Sequence, residues 1–335
     1  MTLLLLQLLL TLLVILASAE LFTNALEHLG ARLKISEGVT GSIFAAIATA
    51  LPETMVPLLA ILGGGSDVRV NEEIGVGSIL GAPLMLSTLS TCLMALAVIG
   101  ERRSGGHIVP ERSGFVRDLN FFIFAFALSA LAMYVPVGKL VWRGALSVCL
   151  VLTYLTYIGA TVRASAGLVK EGHGTEVGKP LLLARLGLPT RLPAIVVQLL
   201  LALTLLVLGA KGFITGVQGV SHALGISALL LSLLIIPIAT ELPEKINSIL
   251  WIRRGKDTLA FGNITGAMVF QGTLLPAIGI MLTPWQPRPE VLGGVAVTLA
   301  AAVWLRLHVR AAGLPVWALL GNGLLYLSYL VAMLA

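Results

Sequence analysis

Apolar runs of membrane length alternate with short polar stretches along almost the whole chain. A helix that crosses a bilayer needs about 20 apolar residues. On that measure the pattern predicts ten spans, at roughly 2–28, 38–62, 73–99, 118–136, 142–162, 193–219, 226–252, 258–283, 291–305 and 313–335. The ninth is the shortest, because Arg306 and Arg310 crowd its end. The first run, "MTLLLLQLLLTLLVILASAE", ends in small residues like a cleavage site. It carries no positive charge before Arg32 and continues with helical spacing, so it reads as a first transmembrane helix rather than a removed signal. The longest polar stretch contains "KEGHGTEVGKP" and reads as a linker, 163–192, between halves 1–162 and 193–335. Its His173 and Glu176 suggest a regulatory ion site, although a solvated loop explains them as well. The expected fold is all-α integral membrane, with ten transmembrane helices in two five-helix halves.

Composition supports that class and excludes others. Only 11% of the 335 residues are charged and 57% are hydrophobic, against about 25% charged in a soluble domain. Cys92 and Cys149 both lie in apolar runs and form neither a disulfide framework nor a metal motif. Sixteen of the 22 Lys and Arg fall in odd-numbered loops and four in even-numbered ones; Lys211 and Lys245 lie within spans. Positive charge favours the cytoplasmic side, so both termini are expected outside. The same asymmetry explains the net charge of +6 without a nucleic-acid partner.

Two segments stand out. "IATALPE" from Ile47 and "IATELPE" from Ile238 differ at one position, Ala50 against Glu241. Carried backward, the offset of 191 pairs Ser36 with Ser227 and Glu20 with Lys211. Farther on, "GVGSILGA" from Gly75 matches "AFGNITGA" from Ala260, so Gly77 pairs with Gly262 and Gly81 with Gly266. Spans 1–3 therefore repeat as spans 6–8. Each half holds five spans, and an odd number inverts the second half relative to the first. Inverted repeats are a mark of secondary transporters, with the site near the bilayer midplane where the repeats meet.

The repeated motif has a physical reading. Pro52 and Pro243 should break or kink spans 2 and 7, since proline removes a hydrogen bond and clashes with the preceding turn. Broken backbone survives at membrane depth only where it is buried in protein or lines a wet cavity. Carbonyl oxygens freed near Ile47, Ala48, Ile238 and Ala239 then become candidate cation ligands. The hydroxyls of Thr49 and Thr240 and the carboxylates of Glu53 and Glu244 add to them. Two buried carboxylates related by the pseudo-two-fold would face one site, and hard oxygen ligands suit Ca²⁺. Gly77, Gly81, Gly262 and Gly266 predict close packing of spans 3 and 8 against the broken spans. Ser78 and Asn263, between those glycines, are candidate ligands.

These motifs resemble the two α-repeats of the sodium/calcium exchanger family, within the cation/Ca²⁺ antiporters. The likeness is carried by "ATALPE" with "GVGSILGA" and by "ATELPE" with "GNITGA". It implies ten helices in five-plus-five inverted repeats, with Glu53 and Glu244 binding Ca²⁺ and Na⁺ and with Thr49 and Thr240 beside them. The chain departs from the family where Gly81-Ala82-Pro83 and Gly266-Ala267-Met268 replace motifs that usually supply Ser and Asn or Asp. Glu241 is a candidate replacement, as a third carboxylate or a proton acceptor three residues before Glu244. Lys245, at i+4 from Glu241, would neutralise it in the blander reading. Asn247 offers an amide oxygen, and Gln271 reads as a polar packing contact. Glu20 and Lys211 form an ion pair or snorkel separately.

The expected function is secondary antiport: Ca²⁺ export in exchange for Na⁺ by alternating access, or a proton-coupled divalent exchanger. A membrane enzyme using buried carboxylates is the alternative from another class; a scaffold has no reason to bury Glu53, Glu241 and Glu244. No cofactor is expected. The expected partners are Ca²⁺, Na⁺ or H⁺ and the lipid bilayer, with the chain a monomer in a bacterial-type inner membrane.

Overall fold

A computed structural model describes residues 2–32, 51–63, 67–102, 106–169, 180–186 and 191–334. Among them, eight helices are long and apolar enough to cross a membrane, and two shorter apolar helices, Glu53–Leu62 and Ala228–Ile238, belong to spans 2 and 7. The chain forms two compact units, each drawing on both halves of the sequence. One holds Met1–Ser66 with Val162–Ile226, the other Asp67–Thr161 with Ser227–Ala335.

The smaller unit is built on α1 (Thr2–Arg32) and α7 (Leu192–Leu224), with α2 (Leu51–Leu62) beside them. Gly209, Gly212, Gly216 and Gly219 of α7 lie against Ile15, Thr11, Leu8 and Leu4 of α1 in turn, so the pair is antiparallel. A Cβ on Gly216 or Gly219 would come within 2.7 Å of a leucine methyl, and the missing side chains let the backbones approach. This register does not bring Glu20 and Lys211 face to face. Lys211 lies opposite the stretch between Thr11 and Ile15, at least five residues or about 7 Å along the axis from Glu20. Part of the expected linker is also built into this unit. Residues Leu182–Leu186 form a 3₁₀ turn, held by the buried amides of Asn24 and Gln198. The N–H groups of Leu182 and Leu183 donate to Asn24 Oδ1 and Gln198 Oε1 at 2.9 and 3.0 Å. His173, Glu176, Thr49 and span 2 up to residue 50 lie outside the described residues.

The larger unit contains α3 (Val68–Met85), a π-helical turn (Leu86–Ser90), α4 (Thr91–Arg102), α5 (Arg112–Ala132), α6 (Leu140–Val169, whose end passes into the smaller unit), α8 (Ala228–Thr240), α9 (Leu242–Arg253), α10 (Asp257–Leu282), α11 (Pro289–His308) and α12 (Val316–Leu334). The ninth span is longer than its charges suggested: α11 runs 20 residues. The π turn follows Pro83, and Asn322 of α12 donates to the Ser87 carbonyl at 2.8 Å, satisfying backbone that the turn frees. Arg143, counted by sequence among the four even-numbered loop charges although at the very edge of span 142–162, is buried. Its guanidinium donates to the carbonyls of Ile280, Thr283 and Pro284 at the end of α10, where a cation complements the helix dipole.

Helix α3 packs on α8 through the first pair of glycines. A Cβ on Gly77 would lie 2.6 Å from the Leu229 carbonyl oxygen, and one on Gly81 2.7 Å from Pro237 Cγ. The second pair differs: among the described residues a Cβ on Gly262 meets nothing within 4 Å, and one on Gly266 meets only the Tyr157 hydroxyl at 3.7 Å. Gly81→Val should therefore cost about 2 kcal/mol by overpacking, read as a lowered melting temperature in detergent. An unchanged melting temperature would refute the close α3–α8 contact.

A corner joins the ends of α4, α5 and α10. Asp257 takes a two-pronged bond from Arg102, and Glu111 N–H donates to the Thr258 hydroxyl at 3.0 Å. The Glu111 carboxylate caps α5, accepting from the N–H groups of Ser113 and Gly114 at 2.7 and 2.6 Å. Burial pushes its carboxyl up, but those donors, the Ser113 hydroxyl and the Arg117 charge outweigh it and hold the group below the usual glutamate range. A lowered pKa means the cap stabilises above the ordinary glutamate pKa and fades as pH falls through the lowered one. At pH 7, Glu111→Gln should be less stable by about 0.5 kcal/mol, and the difference should close in acid, as pH falls through the lowered pKa. A gap that persists in acid would exclude the charged cap.

Candidate cation site

The second LPE motif lies where span 7 breaks. Helix α8 ends at Thr240 and α9 begins at Leu242, with Glu241 between them at φ −82° and ψ 6°. Pro243 is in the first turn of α9, where its missing N–H has no intrahelical partner to lose. Glu244 follows in the same turn, where the helix dipole favours a carboxylate. The sequence placed Glu241 and Glu244 on one helical face; the break joins them by another route. Each offers an oxygen within 4.8 Å of the other. Glu241 is wholly buried and Glu244 is 4% exposed.

Two side-chain amides of α10 bond these glutamates, one at a carboxylate and one at the backbone. Gln271 Nε2 donates to Glu241 Oε1 at 2.7 Å. Asn263 Nδ2 donates to the Glu244 carbonyl at 3.1 Å and to Ser248 Oγ at 3.0 Å, which pins α9 to α10. Glu241 Oε2, Glu244 Oε2 and Gln271 Oε1 are buried without a hydrogen-bond donor. Oxygen acceptors buried in that way are costly unless a cation or proton meets them. Carboxylate and amide oxygens left open in this way are donors that suit a hard cation.

The other expected residues are placed as follows. Thr240 is buried at the end of α8, its hydroxyl donating to the Ile236 carbonyl at 3.3 Å. Ser78 is buried on α3, its hydroxyl donating to the Ile74 carbonyl at 2.6 Å. Glu53 is buried in the first turn of α2, in the smaller unit. Thr49 lies outside the described residues. Asn247, three residues on from Glu244 in α9, is exposed where Glu244 is buried. Lys245 is buried, and its ammonium donates to the carbonyls of Pro237 and Ile238 at 3.1 and 3.4 Å. The Ile238 carbonyl was expected to hold a mobile cation. Ala82, Pro83 and Met268 are buried and bring no polar atom where the family motif carries one. Gln271 is the residue that sequence reasoning undervalued as packing. The available signal was its place in the repeat, since the offset of 185 sets it against Leu86.

A sequence profile described as "Sodium/calcium exchanger protein" matches residues 3–163 and 194–335. The chain belongs to that family. Its members are exchangers, not enzymes, which removes the membrane-enzyme alternative. The chain is 26% identical over 272 residues to CaxA of Alkalimonas amylolytica, named as a candidate antiporter, covering 80% of this chain and 77% of that protein. It is 25% identical over 309 residues to the inner membrane protein YrbG of Escherichia coli (strain K12), covering 88% and 87%. Among solved structures, the crystal structure of the H⁺/Ca²⁺ exchanger CAX superposes with a TM-score of 0.73 at 21% identity, covering 99% of this chain and 82% of that one. The sodium–calcium exchanger NCX_Mj superposes with a TM-score of 0.58 at 19% identity, covering 99% of both chains. The fold is therefore all-α integral membrane, with ten transmembrane helices in two inverted five-helix repeats, as the sequence predicted.

Proposed function

We propose that this family member is a secondary-active antiporter that exports Ca²⁺ by alternating access and takes protons in return. The observation that supports it is the buried pair Glu241 and Glu244, with oxygens within 4.8 Å and no donor on either Oε2. Two carboxylates that close repel, and a divalent cation or protons relieve the repulsion beyond what the single Lys245 ammonium supplies, so the two cargoes compete for one set of oxygens. CAX is an H⁺/Ca²⁺ exchanger and NCX_Mj a sodium–calcium exchanger, so the same fold carries both couplings. Sodium coupling, the first reading of the sequence, is the second one here; it rests on the repeat itself.

In this reading Glu244 and its repeat mate Glu53 are the principal ligands, joined by the Thr49 and Thr240 hydroxyls. Asn263, whose amide nitrogen is engaged, contributes its oxygen, and Ser78 a hydroxyl lone pair. Glu241 carries the proton, oriented by Gln271. The repeats are 1–162 and 193–335 with a linker at 163–192. The chain works as a monomer in a bacterial-type inner membrane, with both termini outside by its loop charges. The test is ⁴⁵Ca²⁺ uptake into proteoliposomes under a pH gradient or a Na⁺ gradient. Proton-driven uptake is expected; uptake driven by Na⁺ alone would reverse the coupling, and no uptake under either would sink the Ca²⁺ assignment.

A further inference from the structure

Helix α8 ends part-way along span 7, and the last carbonyls of a helix lack intrahelical partners. Such carbonyls, at the negative end of a half-helix, are where a transporter coordinates a small cation. Here that position is met by the chain itself. The Lys245 ammonium donates to the Pro237 and Ile238 carbonyls at 3.1 and 3.4 Å, and the side chain is 6% exposed. The repeat makes this a departure rather than a shared device, because the offset of 191 sets Lys245 against Thr54 and Glu241 against Ala50. The second half has thus gained a carboxylate and an ammonium together. Pro237 O also accepts the Glu241 N–H at 3.2 Å, so the ammonium shares a backbone oxygen with the break.

We propose that Lys245 is a tethered monovalent cation: its ammonium fills, in every cycle, a seat of backbone carbonyls that an alkali-metal ion would otherwise take. The inference deepens the antiport reading and rests on it for its transport arm alone. It assigns Lys245 a specificity role. With the seat filled covalently, Na⁺ has no place at the α8 terminus, and the mobile cargo is left to the carboxylates. An ammonium and Na⁺ are both monovalent cations satisfied by carbonyl oxygens, but an ammonium on a four-carbon stem cannot leave.

The experiment compares the wild type with Lys245→Ala, which opens the seat, and Lys245→Met, which fills its space with an apolar stem. Thermal stability in detergent is measured against NaCl, with choline chloride holding ionic strength constant. Saturable Na⁺-dependent stabilisation is expected for Lys245→Ala and not for the wild type or Lys245→Met. In proteoliposomes, Ca²⁺ flux of Lys245→Ala should fall at least tenfold in choline and recover several-fold with Na⁺, while Lys245→Met stays low in both. A purely structural lysine would leave both variants equally indifferent to Na⁺, which overturns the proposal. Saturable Na⁺ stabilisation of the wild type overturns it too, and needs no variant to fold. If the wild type moves no Ca²⁺, the antiport reading fails, and the stability arm still decides the seat.

Discussion

Glu244→Gln is expected to abolish Ca²⁺ flux, by about 100-fold or more. The amide keeps the shape and removes the charge. A buried charge that loses its counter-charge costs about 3–5 kcal/mol, which at about 1.4 kcal/mol per decade is about two to four decades of rate. Glu244 is buried in the first turn of α9 with Oε2 lacking a donor, so water does not replace the lost charge. The same substitution should erase Ca²⁺-dependent stabilisation, about 2.7 kcal/mol at a hundredfold excess over Kd. This separates lost binding from a slowed conformational step. Glu53→Gln should match it by repeat symmetry. Glu241→Gln should instead keep Ca²⁺ stabilisation and lose the response to a pH gradient. Flux within twofold of wild type in Glu244→Gln would remove that carboxylate from the site.

Asp257→Ala is expected to have the largest effect on stability. Arg102 Nη1 donates to Asp257 Oδ2 at 2.6 Å and Nη2 to Oδ1 at 2.8 Å, and the Val109 N–H adds a third bond at 2.8 Å. The carboxylate side chain is 10% exposed and the guanidinium 21%, so solvent screens the pair little and its two-pronged geometry is preserved. Removing the carboxylate strands the guanidinium and should cost about 3 kcal/mol. The corner that it closes holds the ends of α4 and α10 with the short β1–β2 pair, His107–Ile108 against Leu314–Pro315. Thermal unfolding in detergent should show the loss. Arg102→Met with Asp257→Leu should recover most of it, because a pair replaced together leaves no stranded charge. Equal melting temperatures for Asp257→Ala and wild type would show that the fork carries no net stability.

The spans, the repeat and the LPE carboxylates were legible because membrane burial writes itself into local sequence. Twenty apolar residues, a proline beside a carboxylate and a recurrence at a fixed offset need no knowledge of distant contacts. The sequence by itself determined the ten-helix inverted fold, the family, and the candidacy of Glu53, Glu241 and Glu244. It placed the break in span 7 correctly from Pro243 alone. Only the tertiary structure decided what meets the break. Gln271 reaches Glu241 across 30 residues, and Lys245 turns back to carbonyls seven and eight positions earlier. An i,i+4 rule pointed the lysine at Glu241, and the Lys245 N–H does donate to the Glu241 carbonyl at 3.1 Å, but the carbonyls that its ammonium meets lie at the end of the preceding helix, which the rule does not name. The glycine motifs show the same limit: identical spacing gives a tight contact at Gly77 and Gly81 and none among the described residues at Gly262. Close packing depends on which helix lies opposite, and that is set by the fold rather than by the motif. Repeat symmetry marks a candidate site; the residues that break the symmetry, here Glu241, Lys245 and Gln271, meet neighbours that the linear sequence does not name.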